Sequence, residues 1–395
     1  MKSKNYALIG LLGALVAFGP LSIDMYLSSL PQMSIDLASS AQQIQKTITV
    51  FLVGFSIGML FYGPLSDIYG RKKILIIGIS IYIFASIGCT LSESVEQLTL
   101  FRFLQALGGA SASVISRALV KDLFEQNHIP KVLSLMHIIT MIATLIAPTL
   151  GGLLTQYFGW NAIFKLLSLF SASILLGVFL SIPNEFPKNS RPHFIKNYIA
   201  VIKDSRAWSF IFALSGTFAG MFAYITASSF IFVDQIGFSQ LQYAFLFGFN
   251  ITGIIIFTIL NTYFLRKYSS YKLLKAFTLV ACISGFYLLL ISLLNFHHPF
   301  YLIIGLLMFV GVTGAIGANA IANLLNIFSQ AAGTVSGLAV SFQFGFGALA
   351  SYFTVLLYRP DSSLAMTLIM AICGFIRALL HKPICKGFFS DIIFK

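Results

Sequence analysis

The chain has 395 residues, 58% hydrophobic and only 9% charged, with a formal net charge of +13. Soluble globular chains carry roughly 25% charged residues, so a soluble protein is excluded. The apolar residues instead fall in repeated blocks of about 20, each long enough to cross roughly 30 Å of hydrocarbon as a helix. A nucleic-acid binder would need a soluble basic surface, and the sequence offers none.

Twelve spans are predicted in chain order, near residues 6–30, 47–66, 74–92, 97–120, 132–156, 161–182, 207–232, 240–264, 272–294, 299–326, 331–357 and 362–381. The opening run "MKSKNYALIGLLGALVAFGP" has the basic start and apolar continuation of a secretory signal. It is too long for one and lacks a small-residue cleavage site, so it is read as the first span. Residues 183–206 form the longest polar stretch. The chain therefore divides into a six-span half over 1–183, a cytoplasmic linker over 184–206, and a second six-span half over 207–395 with a short cytoplasmic tail. With the N-terminus in the cytoplasm, all of the 25 Lys and Arg residues except Lys46, Arg102, Lys165 and Arg359 fall on the cytoplasmic side. That asymmetry predicts both termini cytoplasmic and makes the net charge a record of topology. Cys89, Cys282, Cys373 and Cys385 lack metal-ligand spacing, and the paired His297 and His298 sit in a short outer loop as interfacial residues. No Walker A sequence is present, which argues against ATP as the energy source.

Span 1 carries the first unusual feature. "FGPLSIDMYLSSLP" (18–31) places Asp24 inside an apolar stretch. A carboxylate near the middle of a span costs on the order of 2.5–3.5 kcal/mol, and less toward the interface. Shifting the chain by 200 residues lays Phe18, Ser28 and Ser29 over Phe218, Ser228 and Ser229, and Asp24 over Tyr224, a weak trace of a parallel repeat. After span 2, "GPLSDIYGRKKIL" (63–75) combines a glycine that permits close helix approach, a hydrogen-bond-accepting aspartate and a basic turn. On the residues alone it could equally be a charged turn obeying the positive-inside rule.

Gly63, Leu65, Asp67, Gly70, Arg71 and Lys72 together resemble the signature loop of the major facilitator superfamily, and stand where that family has it. Ile68 replaces the usual arginine, and the copy expected between spans 8 and 9, "NTYFLRKYSSYKLLK", lacks the glycines and the aspartate. "RFLQALGGASASVISRALVKDLF" (102–124) is similar to the family's fourth-span motif through Arg102, Gln105, Gly108 and Gly109. "IAPTLGGLL" (146–154) is similar to the fifth-span motif of drug/proton antiporters through Pro148, Gly151 and Gly152, with Ala143 and Ala147 where glycines are usual. "FGPLSIDMYLSSLP" and "AAGTVSGLAVSFQF" (331–344) resemble the Bcr/CflA group of drug exporters. The resemblance covers all twelve spans. It implies that Asp67, Arg71 and Asp122 form a conformational switch with Gly63 and Gly70, pairing in one state and parting when the halves rock. Helix capping and surface charge are the plainer account of the same three residues.

At 100° per residue, polar and small residues line one face of four spans. They are Gly13, Ala17, Pro20, Asp24 and Ser28 on span 1; Arg102, Gln105, Gly109, Ser113 and Ser116 on span 4; Thr217, Gly220, Tyr224 and Ser228 on span 7; and Asn319, Asn323 and Asn326 on span 10. Two readings stand: helix-packing seams, or a substrate cavity, since spans 1, 4, 7 and 10 line the central cavity in the family resembled. Asp24 and Arg102 each fall roughly 8–9 Å below the outer surface at about 1.5 Å per residue. A static ion pair and a titrating proton-coupling carboxylate are both compatible with that depth. Asp234, near the outer end of span 7, is the next intramembrane acid. The forty phenylalanines supply aromatic surface for a greasy pocket, though most would face lipid or neighbouring helices.

The chain is thus expected to be an all-α polytopic membrane protein, twelve transmembrane helices in two six-helix bundles, acting as a secondary active exporter. The leading expectation is proton-coupled antiport of small amphipathic drugs in a bacterial cytoplasmic membrane, by a monomer. The proton gradient would supply the energy, with no cofactor or metal; the partners would be a small-molecule substrate, protons and the lipid bilayer. Export of an endogenous metabolite or siderophore by the same mechanism is the alternative within transport. A non-transporting receptor or scaffold fits less well with Asp24, the polar stripes and the antiport motif. No enzymatic role is expected: no two-histidine helix motif and no G-x-S-x-G elbow with plausible partners is found.

Overall fold

The computed structural model describes residues 3–125, 128–184, 194–294, 298–328, 332–360 and 362–380. His297, Cys385, residues 185–193 of the predicted linker and the tail beyond residue 380 lie outside the described residues. The described residues are helical almost throughout. In chain order the helices are α1 (Ser3–Val16), α2 (Phe18–Leu27), α3 (Leu30–Asp36), α4 (Ala41–Tyr69), α5 (Arg71–Thr90), α6 (Val95–Leu123), α7 (Ile129–Phe158) and α8 (Asn161–Ser181). There follow α9 (Phe194–Lys203), α10 (Ser205–Ser229) with a π-helical turn over Phe230–Gln235, α11 (Gln240–Phe264), α12 (Ser270–Leu293), α13 (Pro299–Ile327), α14 (Ala332–Leu357) and α15 (Leu364–Leu380).

Among the described residues, ten helices are long and apolar enough to cross a membrane; the bent pair α1–α2 makes an eleventh candidate, and α15 is a shorter apolar helix. The predicted spans recur within a few residues, because each begins where the chain supplies a cap or a turn. Ser40 and Gln43 form a reciprocal capping box at α4. Ser94 caps α6 by accepting from the Gln97 amide, and Ser269 caps α12 by accepting from that of Lys272. His298 caps α13 through Nδ1, which accepts from the Phe300 amide at 3.3 Å.

Span 1 departs from the single helix predicted over 6–30. It bends by 50° between Val16 and Phe18, then breaks again before Leu30. Pro20 explains the first break: its ring nitrogen carries no hydrogen, so the carbonyl four residues earlier loses its helical partner. The predicted linker holds α9, and α10 starts at Ser205, ahead of the predicted residue 207.

The chain divides into two compact units. Unit 1 comprises residues 1–193 and 237–248, and unit 2 comprises 194–236 and 249–395. Within unit 1, α6 packs against α4 and α5 at backbone distance. A Cβ on Gly54 would lie 2.7 Å from the Phe103 carbonyl oxygen, and one on Gly108 would lie 2.6 Å from the Gly78 carbonyl oxygen. Small residues at such seams let helices associate in lipid, where packing rather than water exclusion drives contact. Gly63, expected to be a close-approach glycine, sits in ordinary contact, with Val114 at 3.6 Å. Gly54 and Gly58, one turn apart on α4, take that role instead. Within unit 2, α12 meets α15 in the same manner: a Cβ on Gly285 would lie 3.1 Å from the Met370 carbonyl oxygen.

Candidate functional site

Asp24 sits on α2, in the second limb of the bent first span. It is only 6% exposed and makes no hydrogen bond or ion pair among the described residues. The antiport-motif glycine lies against it: a Cβ at Gly151 would collide with the carbonyl of Met25, the next residue after Asp24. Helix α7 can therefore touch the α2 backbone only because position 151 has no side chain. Gly152 is less constrained, with its nearest neighbours at 3.6 Å, and it faces the Ser28 hydroxyl, which is buried without a hydrogen-bond partner. Pro148 lies within α7, three residues before this contact.

Arg102 is fully buried and is not brought to Asp24. Its Nη1 donates to the Ser22 carbonyl at 2.9 Å and to the Gln105 side-chain oxygen at 2.7 Å. Its guanidinium lies over the rings of Tyr26 and Phe51, 4.4 and 4.2 Å from their centroids. The predicted depths overlooked rotation about the helix axis. Ser22 and Tyr26 are four residues apart and share the α2 face toward α6, whereas Asp24 is rotated about 200° from each. The cation is compensated by a carbonyl dipole and aromatic faces, while Nε and Nη2 remain without hydrogen-bond partners.

A polar network continues from Arg102. Gln105 Nε2 donates to Ser86 Oγ at 2.8 Å, and Ser86 donates to the Tyr82 carbonyl at 2.8 Å. The Tyr82 hydroxyl meets Ser22 Oγ at 2.6 Å, and the Tyr26 hydroxyl is hydrogen-bonded to Thr47. Gln105 is thus occupied inside unit 1, and a Cβ on Gly109 would lie 3.2 Å from the Tyr82 ring. Ser113 is buried, with its carbonyl accepting from Ser116 Oγ at 3.2 Å. Among these predicted cavity residues the seam interpretation describes what unit 1 contains. Tyr26, Phe51, Tyr82 and Ser86 were missed in the sequence because nothing in an isolated span says which faces meet.

At the far end of α4, Gly70 carries φ +97°, a left-handed conformation that lets α5 start one residue after α4 stops. The turn delivers Arg71 between two acids. Arg71 bonds to Asp67 one turn back, and its Nε donates to Asp122 on α6 at 2.9 Å. Nη1 also donates to Ser66 Oγ at 2.7 Å.

Unit 2 has a neutral arrangement instead. The Tyr224 hydroxyl accepts from Asn250 Nδ2 at 2.9 Å and lies within hydrogen-bonding reach of Ser228. Asn319 and Asn323 are engaged by neighbouring helices. Asn319 Nδ2 donates to Asn261 at 2.7 Å, Ser270 Oγ donates to Asn319 at 2.9 Å, and Asn323 Nδ2 donates to Ser270 at 2.9 Å. Buried amides satisfy one another because an orphaned polar group is costly in an apolar interior, so these two join α11, α12 and α13. The same unit carries an aromatic band between α10 and α14. Trp208 packs on Phe342, Phe212 on Phe346, and Phe218 on Phe344, with centroids 5.1–5.5 Å apart.

Comparison with known proteins adds to this geometry. The family model described as "Major Facilitator Superfamily" matches residues 11–352. The chain is 32% identical over 385 residues to a bicyclomycin resistance protein homolog of Haemophilus influenzae, covering 96% of each. It is 36% identical over 259 residues to the MFS-type transporter YdgK of Bacillus subtilis, covering 64% of each. It is also 37% identical over 163 residues to the multidrug resistance protein MdtL of Escherichia coli, covering 41% of this chain and 42% of that one. Among solved structures, a D-xylose–proton symporter superposes with a TM-score of 0.76 at 14% identity, covering 95% of this chain and 97% of that one, a likeness of fold alone.

Proposed function

We propose, from the premise that the chain belongs to the major facilitator superfamily, that this transporter exports small amphipathic drugs in exchange for protons by alternating access. The relatives named for bicyclomycin and multidrug resistance support drug efflux as the direction and the substrate class. One observation carries the proton: Asp24 is a buried carboxyl on a bent membrane-spanning helix with no fixed countercharge or hydrogen bond. A group so placed can be neutralised by a proton in one state and give that proton up when a ligand or water reaches it. Arg102, held by aromatic rings beside the same helix, contributes positive potential without quenching the carboxylate. The aromatic band of unit 2 offers apolar surface suited to amphipathic compounds. On this reading the protein works as a monomer in a bacterial inner membrane, and the distribution of Lys and Arg supports both termini being cytoplasmic.

Purified protein in liposomes with an imposed pH gradient tests this, using bicyclomycin and a panel of amphipathic drugs. Transport should follow the gradient and stop when a protonophore collapses it. Transport that continues undiminished without the gradient would contradict proton coupling.

A further inference from the structure

Arg117 has no part in the site described so far. It lies on α6 four residues beyond Ser113, so it extends the same helix face toward the cytoplasmic end, about 9 Å before the helix stops. Unlike its buried neighbours Ser113 and Ser116, it is exposed. It makes no hydrogen bond, ion pair or ring contact among the described residues. Of the described acids at this end of unit 1, Asp67 and Asp122 are both held by Arg71, and Glu125 is exposed beyond the end of α6. On α7, the exposed His137 lies within electrostatic reach of the Arg117 guanidinium. Two basic side chains on adjacent helices therefore lie within electrostatic reach of each other, and neither has an ion-pair partner among the described residues.

The packing of α6 gives this face its direction. One side of the helix is closed by α4, where a Cβ on Gly58 would lie 2.5 Å from the Ala110 methyl, and another by α5 at Gly108. Arg117, by contrast, is exposed. A guanidinium presents five donors in a planar fork that matches a carboxylate, and such charge-assisted bonds are the strong ones. An unpaired arginine on a membrane-spanning helix ordinarily marks a pathway for a charged ligand.

We propose that Arg117, assisted by His137, binds the carboxylate of an anionic or zwitterionic compound that the protein exports. The proposal rests on the export reading for the identity of the ligand, and narrows it to molecules that carry an acidic group as well as apolar surface. An isosteric pair of probes tests it at equilibrium, without any gradient: 1-naphthoate and 1-naphthamide, titrated onto the full chain in detergent. Wild type should bind naphthoate at least about tenfold more tightly than naphthamide. Arg117→Gln should remove that preference while keeping naphthamide affinity, and Arg117→Lys should keep part of it. His137→Gln should weaken naphthoate binding by a smaller factor. Equal affinity of wild type for the two probes, no binding of either, or unchanged naphthoate preference in Arg117→Gln would overturn the proposal. Displacement of naphthoate from wild type by phosphatidylglycerol added to the micelles would also overturn it, assigning Arg117 to a lipid headgroup. Because no proton gradient is involved, a failure of proton coupling leaves this result standing, and the reverse also holds.

Discussion

Two glycines of the fifth-span motif differ by one position and by a large energy. At Gly151 any Cβ meets the Met25 carbonyl, a backbone atom that cannot rotate away; at Gly152 the nearest atoms stand at 3.6 Å. Gly151→Ala should separate α7 from α2 and destabilise the protein by about 1–3 kcal/mol, as overpacking does. Gly152→Ala should be nearly silent. Thermal unfolding in detergent reads both, and equal loss from the two variants would show that the contact at Met25 is not the constraint. The same contrast holds at the turn after α4. Gly70→Ala forces a left-handed residue at a cost of about 1–2 kcal/mol, while Gly63→Ala adds a methyl where Val114 leaves ordinary room. Arg71→Ala removes a cation shared by Asp67 and Asp122. Partly exposed pairs contribute little stability, so the melting temperature should barely move while turnover falls; normal turnover at matched expression would remove the switch role.

The helices themselves were legible because twenty apolar residues in lipid can satisfy their backbone in one way only. The bend in span 1 was less so, although Pro20 stood in plain view, because apolar run length carries no information on direction. Span depth along the membrane was readable for Asp24 and Arg102, but their azimuth was not, and the two point to different neighbours. The asparagines of span 10 show the same limit. Their one-turn spacing left a packing seam and a cavity stripe both open, and only the structure shows that Asn261 and Ser270 supply hydrogen-bond partners from two other helices. Arg117 was counted with the cytoplasmic charges, although its spacing from Ser113 already placed it on the polar face of α6. The asparagine seam makes its own prediction. Asn319→Leu would strand the Asn261 oxygen and loosen α11 and α12 from α13, at about 1–3 kcal/mol. Asn323→Ala, at a half-exposed position, should cost less. A melting temperature unchanged by Asn319→Leu would show that the ladder does not hold those helices together.

Across the whole chain, the charge chemistry is unequally distributed. Unit 1 contains Asp24, Arg102, Arg117 and the Asp67–Arg71–Asp122 cluster, whereas the described acids of unit 2 are Asp204, which caps α10, and the exposed Asp234 in the π-helical turn. At the repeat offset, Tyr224 replaces Asp24, and its hydroxyl is taken by Asn250. Among the described residues, the buried carboxyl without a partner and the Asp67–Arg71–Asp122 cluster thus both lie in unit 1. Under the proposed mechanism, proton coupling belongs to unit 1, while buried amides and an aromatic band characterise unit 2. Asp24→Asn retains size and hydrogen bonding but cannot titrate. Substrate-induced proton release from detergent-solubilised protein, measured with a compound that the liposome assay shows to be transported, therefore bears most directly on the account. Wild type should release protons when the compound is added, and Asp24→Asn should bind the compound and release none. Equal release from the two proteins would contradict Asp24 as the coupling group.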